Sequence, residues 1–262
     1  MISGRLLANP GGLSSFLSTT NYALYVLAYL HTKAPPLSRL SSVLLGLLNY
    51  RRASAASSSP PAKPFVSPLQ SLGALISSAR TTLRLLGLPP LYVWLRTLLR
   101  GPKPDQDRVL YAIALAQCLA YVTYQALENV AVLIDNNVLS KDLGARLLRG
   151  GAPVPTQRIY RLAYRAWLVG VLCDLPRLAR EAHLERERRA NRTASPKDAG
   201  EDDMIDAKWW RDLLVPCAWL PVSLHFNLDK GLPGMNLGIM GLCGAVAGSG
   251  RMAALWAATK DV

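Results

Sequence analysis

Histidine and cysteine are scarce in this 262-residue chain, which has three of the first (His31, His183, His225) and four of the second (Cys118, Cys173, Cys217, Cys243). The cysteines stand inside apolar stretches, 26 to 55 residues apart and without a C-x-x-C pair. That spacing supports neither a disulfide framework nor a zinc site, and the four read as small buried hydrophobes. The histidines have no metal-ligand spacing, so no metal and no cofactor are expected. Catalytic signatures are missing too: there is no G-x-S-x-G, no H-E-x-x-H, no kinase set and no Walker lysine. The expectation is a protein that is not an enzyme and has no catalytic residue. Acidic residues are absent until Asp105, and the bases before it are interleaved with Leu, Ala and Ser rather than with aromatics or a recognition motif. Nucleic acid is therefore not an expected partner. No continuous apolar stretch followed by a small-residue cleavage site follows Met1, which argues against a secretory signal peptide.

What is present is hydrophobicity and positive charge. Half of the residues are hydrophobic, 18% are charged, and the formal net charge is +13. A chain of this kind is not disordered as a whole, and a membrane protein is open to it. The positive charge is uneven. Residues 1–108 carry twelve bases and two acids, residues 109–127 carry no charge, and residues 128–231 carry sixteen bases and fourteen acids. An excess of bases among aliphatic residues points to anionic membrane lipid as the partner.

Leu13–Leu30 reads as a mostly apolar helix stopped by Pro35-Pro36, and Leu37–Tyr50 resumes a helical pattern. Ala53–Pro64 reads as a flexible linker. Beyond it, Leu69, Leu72, Leu75, Ile76, Ala79, Leu83 and Leu86 recur every three or four residues and fall in an arc of roughly 120° on a helix. Arg80 and Arg84 border that arc, where their stems can lie along lipid while the guanidinium groups reach phosphate. The expected amphipathic helix spans 69–86 and is interrupted by Pro89-Pro90, with Tyr92 and Trp94 just beyond, suited to the headgroup zone.

Val109–Leu127 is an uncharged stretch about 28 Å long as a helix, close to the hydrocarbon thickness. Its Gln117, Thr123 and Gln125 keep a buried bundle helix open as an alternative. Glu128 and Asn129 follow it and read as a polar anchor or an interhelical hydrogen bond, with no acid, His or Cys at a spacing that suits catalysis. Arg158–Pro176 is amphipathic, and Arg177–Arg192 carries i,i+4 pairs of a solvated helix. Ala190–Asp206 reads as a loop, and Leu213–Leu228 as a hairpin or partly inserted segment broken by Pro216 and Pro221. Leu232–Gly250 is the strongest span. Gly234, Gly238, Gly241, Gly244 and Gly248 occupy one helix face, which allows close approach of a second helix. The expected fold is all-α: a helical integral membrane protein with an N-terminal amphipathic region, divided into 1–108 and 109–262. Two spans with a basic N-terminal part place both termini in the cytosol.

The run Ile76-Ser77-Ser78-Ala79-Arg80-Thr81-Thr82-Leu83-Arg84-Leu85 resembles the amphipathic helix of the peroxin-eleven family of peroxisomal membrane proteins, with its Arg-x-x-x-Arg-Leu core. Phe16–Thr20 is similar to the family's opening, Tyr124–Ala131 to its Leu-Glu-Asn motif, and Gly241–Trp256 to its glycine-rich closing helix. The ordered set covers most of the chain, and the Leu-Glu-Asn motif resembles the gamma-like branch. Two stretches depart from the pattern: Asn21-Tyr22-Ala23-Leu24 stands where the family has Gly-Arg-Asp-Lys, and Pro89-Pro90 shortens the amphipathic helix. The resemblance implies a peroxisomal membrane protein that elongates the organelle before division. It also implies self-association as a homo-oligomer and contact with dynamin-type fission machinery. Leu72, Ile76, Ala79, Leu83 and Leu86 would be the wedge and Arg80 and Arg84 the electrostatic hold, with the glycine face as a helix–helix contact. A small-solute pore using Gln117, Thr123, Gln125 and Glu128, and a mitochondrial inner-membrane protein with an acid-free presequence, are the alternatives.

Overall fold

The computed structural model describes residues 10–33, 68–140, 142, 155–192 and 196–258. Every regular element among them is helical: α1 (Pro10–Lys33), α2 (Pro68–Arg84), a 3₁₀ turn (Leu85–Gly87), α3 (Leu88–Leu98), α4 (Arg108–Asp135), α5 (Thr156–Ala190), α6 (Pro196–Asn227) and α7 (Leu237–Ala258). The expected helix at Leu37–Tyr50 and the linker at Ala53–Pro64 lie outside the described residues.

Two compact units result: one lies within Met1–Arg80 and Met235–Val262, the other is Thr81–Gly234. These units reflect helix packing, which brings α7 back to α1, whereas the expected division at 108/109 follows charge. In the first unit α1 and α7 run antiparallel: Gly238 meets Tyr29, Gly241 meets Val26 and the Tyr22 carbonyl, and Gly244 meets Tyr22. In the second unit α4, α5 and α6 form an antiparallel row. Asp107 pairs with Arg180, Gln117 with Gly170, and Ile134 packs beside Ile159 at the opposite end. On the other side of α5, Trp209 Nε1 donates to the Leu178 carbonyl and Asn227 Nδ2 to that of Tyr164.

Several local expectations are corrected. α4 extends the apolar run 109–127 by two turns, because Asp107 caps its first turn by accepting from Leu110 N at 2.8 Å and Asn136 closes its end on the Val132 carbonyl. The segment 213–228 is not a hairpin: α6 runs through both Pro216 and Pro221. Each proline forfeits a helical hydrogen bond, yet Pro216 and Val222 are fully buried and the helix is tied to α5 at both ends. Packing overrides the local preference. The charge run is not a continuous loop either. Beyond the turn at 191–192, Arg188, Arg189 and Arg192 of the first arm hold Glu201, Asp202 and Asp206 of α6, so opposite charges zip a helical hairpin together.

Two helices, Arg108–Asp135 and Leu237–Ala258, are long and apolar enough to cross a membrane. The second begins five residues later than the expected span at Leu232, since Gly231 and Gly234 take left-handed φ of 69° and 79° and turn the chain first.

Candidate membrane-binding site

Helix α2 is packed the opposite way from a helix on a soluble core. Its apolar arc points outward: Leu72, Leu75 and Leu83 are 45%, 67% and 40% exposed, and Leu86 in the following turn is 72% exposed. Ala79 is exposed as well, and Ile76 is half-buried. The residues turned inward are Gly73 and the arginine side. Gly73 is the buried residue of the helix, and a Cβ there would come within 3.0 Å of the Tyr25 ring. Asn21 of α1, with its amide oriented by its partners, donates to the Gly73 carbonyl at 2.7 Å and accepts from Arg80 Nη1 at 3.2 Å. The Arg80 guanidinium also stands over the Tyr22 ring, 5.3 Å from its centroid. Gly73 was not singled out in the sequence, although it is the one glycine of α2 and a glycine in a helix interior marks close approach, and Asn21 was noted only as part of the stretch that departs from the family's pattern.

Arg84 and the stretch after it belong to the second unit. Arg84 Nη1 lies 2.9 Å from Glu128 Oε1 and donates to the Tyr124 hydroxyl at 3.0 Å, and that hydroxyl donates to the same Glu128 oxygen at 3.0 Å. The Glu128 side chain is 4% exposed and that of Arg84 36%. Its guanidinium is thus engaged by protein, where the sequence pointed it at lipid phosphate. Gln125 Nε2 donates to the Arg84 carbonyl at 3.0 Å, and Asn129 Nδ2 to the Leu85 carbonyl at 3.1 Å. From there α3 continues antiparallel along α4, with Tyr111 donating to the Leu98 carbonyl. Its outer side carries Tyr92 and Val93, both more than half exposed, and Trp94 is half-buried. The exposed apolar residues therefore include Leu75, part of the expected arc, and Val93, which the sequence did not single out.

The glycine face is divided. Gly238, Gly241 and Gly244 are buried under α1 of the same chain, Gly248 has only Thr19 Oγ1 at 3.8 Å, and Gly234 lies in the turn before the helix. The face that was expected to receive another helix has one within the chain.

A cleft of about 670 Å³ lies between α5 and α6, near Glu185, Arg189, Asp206, Trp209 and Trp210. Its carboxylates are already paired: Glu185 is held by Arg188 and Arg189, and Asp206 by Arg189. Among the described residues no group of three His, Cys, Asp or Glu could hold a metal ion.

An all-helical chain with two membrane-length helices, and a further helix whose apolar arc faces outward, is a helical membrane protein. A family model, Peroxisomal biogenesis factor 11 (PEX11), matches residues 52–256, well over half of the chain, and the chain belongs to that family. The match takes in α2 to α7 as far as Trp256, with α1 before it. No curated protein and no solved structure matches the chain. At the level of the family, this is a peroxisome biogenesis protein associated with the organelle and its membrane.

Proposed function

We propose that the protein elongates the peroxisomal membrane ahead of division by laying the α2–α3 surface into one leaflet. The observation that carries the reading is the outward apolar arc of Leu72, Leu75, Leu83 and Leu86, which leaves in contact with solvent what a lipid surface would cover. Wedging these side chains into one leaflet expands it and favours curvature. Exposed Arg96 and Arg100 beside Tyr92 supply attraction to anionic headgroups of about 1 kcal/mol each. The Leu127-Glu128-Asn129 run supports the gamma-like branch. Copies of the chain associate through a surface other than the glycine face, since α1 covers Gly241 and Gly244; the exposed Ile239, Leu242 and Val246 side of α7 suits that role. Contact with dynamin-type fission machinery follows elongation.

The pore alternative has less support. Of the polar side chains it would need, Gln117, Gln125 and Glu128 are each hydrogen-bonded to protein, and Thr123 is exposed. The test uses full-length protein. Leu75→Asp with Leu83→Asp places charge on the arc without touching the packed side. Expression in cells should give protein that still reaches peroxisomes but no longer elongates them, and the purified variant should no longer tubulate anionic vesicles. Normal elongation by this variant would refute the reading, and solute flux through the parent without tubulation would favour a pore.

A further inference from the structure

The end of α2 raises an accounting problem that α4 solves. The last carbonyls of a helix have no partner within it, and at membrane depth they must find one. Here the 3₁₀ turn Leu85–Gly87 replaces the α-helical ladder with i→i+3 bonds, and Pro89 has no N–H with which to reach the Leu85 carbonyl four residues back. The carbonyls at this junction are left with the poorer bonds of the turn and room for a second donor. Asn129 Nδ2 donates to the Leu85 carbonyl, and Gln125 Nε2, which also bonds Asn129 Oδ1 at 2.8 Å, donates to that of Arg84. One turn away Glu128 takes the Arg84 guanidinium, with the Tyr124 hydroxyl bridging the two. Gly87 makes room for this: a Cβ at that position would stand 2.6 Å from Gln125 Oε1.

Glu128, Gln125 and Asn129 share one side of α4, and between them they hold the neighbouring residues Arg84 and Leu85. The ion pair among them is not designed for maximum stability. Glu128 Oε2 and Arg84 Nε are buried without a hydrogen-bond partner, and a buried pair so imperfectly satisfied contributes little net free energy while fixing register. With Arg84 and the two carbonyls held, the last turn of α2 has one rotational setting about its axis, and in that setting Leu83 and Leu86 are exposed.

We propose that Glu128, Gln125 and Asn129 form a positioning bracket that sets the rotation of the last turn of α2, Thr81–Arg84, with Leu85 and Leu86 after it, and that Arg84 is the partner of this bracket rather than a ligand of lipid phosphate. The proposal deepens the remodelling reading, on which it rests for the meaning of the outward arc. A lipid-binding Arg84 and a bracketed Arg84 respond differently to charge. If phosphate were the partner, Arg84→Glu would be harmful whatever stands at 128. In the bracket, Arg84→Glu sets two carboxylates face to face, and Glu128→Arg beside it restores the pair with its polarity reversed.

A disulfide reporter reads docking without any lipid assay. A Cβ at Gly87 would lie 3.3 Å from Gln125 Cγ, so Gly87→Cys and Gln125→Cys suit a bridge, in full-length protein with the four native cysteines replaced by alanine. This pair gives up the Gln125 bond and reads the parts of the bracket that remain, Glu128 on Arg84 and Asn129 on Leu85. In membranes this pair should close readily. Adding Arg84→Glu should slow closure by about tenfold, and adding Glu128→Arg to that variant should bring it back to within about twofold of the parent. A parent pair that fails to close, an Arg84→Glu variant that closes like the parent, or a double swap no better than the single would each overturn the bracket. Closure that follows the charges while peroxisomes elongate normally in both variants would uphold the bracket and count against remodelling.

Discussion

The two units each contain one membrane-length helix, and they attach it by opposite means. In the first, α7 has almost nothing to offer but the absence of side chains: its glycines let the backbone of α1 come close, and the tyrosines and Val26 of α1 fill the space. In the second, α4 holds its neighbours with side-chain hydrogen bonds, from Gln117 to α5 and from Gln125, Glu128 and Asn129 to the α2–α3 turn. Lipid tails provide no hydrophobic drive between helices, so close packing and hydrogen bonding are the two routes left. One chain uses both. A seam of glycines tolerates no added volume, whereas a seam of hydrogen bonds tolerates volume and suffers from lost polarity.

The largest effect should come from adding volume to the tighter seam. Gly241→Leu puts its first added carbon 2.7 Å from the Tyr22 carbonyl and 2.9 Å from the Val26 nitrogen, both backbone atoms that cannot swing aside. We expect a loss of about 3 kcal/mol in detergent unfolding. Gly244→Leu meets only the Tyr22 ring and should cost less, and Gly248→Ala, with its nearest atom at 3.8 Å, should be close to neutral. Equal costs at the three positions would show that the seam is not as drawn.

Loss of polarity in the second seam should be felt next. Asn129→Ala leaves the Leu85 carbonyl, which Pro89 cannot reach, with only the poorer i→i+3 bond of the 3₁₀ turn, for about 1–2 kcal/mol in the same assay. Gln117→Ala removes a bond to the Gly170 carbonyl, which sits mid-helix, and should cost about half as much. If Gln117→Ala proves the more damaging, proline is not what makes Asn129 necessary.

The smallest effect lies at the charged tip of the α5–α6 hairpin, where the hydrogen bonds belong to ion pairs open to water. The hydrogen bond from Arg188, aided by Arg189 and opposed by partial burial, holds the Glu185 carboxyl down to about 2. Arg189 likewise holds Asp206 below the usual carboxylate range. Folded-state values below the unfolded ones stabilise the tip at neutral pH, and that contribution is lost only as pH falls below about 4.5 toward 2. Amide exchange in residues 184–192 and 200–208, corrected for intrinsic rates, should stay level from about pH 7 to pH 5 and quicken below it. Loosening already complete at pH 5 would mean that these pairs do not hold the tip.

Much of this was legible in the sequence. The apolar arc of α2, both membrane-length helices and the glycine face follow from three- and four-residue periodicity, a backbone property that survives in any environment. Which way the arc faces does not follow, because a wheel gives the same arc for a helix lying on lipid and one lying on a core. Gly73, packed on Tyr25, was the available clue. The polar stripe of Gln117, Tyr121, Gln125 and Asn129, four residues apart along α4, was equally readable as one bonded face, but its partners were not: Arg84 is 44 residues from Glu128, and nothing local links them. The prolines of α6 misled for the same reason. Their cost is local, and what offsets it, burial of Pro216 and anchorage on α5, comes from residues 31 to 63 positions away.

The Tyr22 ring against Gly244 carries a genealogical consequence. Position 22 falls in the stretch where this chain departs from the family's charged pattern, and position 244 falls in the glycine-rich motif that it keeps. Because the two share one fixed volume, neither can drift alone. Descendants that enlarge residue 244 should shrink residue 22 in the same lineage, and a library randomised at both positions together should yield functional clones whose summed side-chain volumes cluster tightly, although the individual residues vary widely.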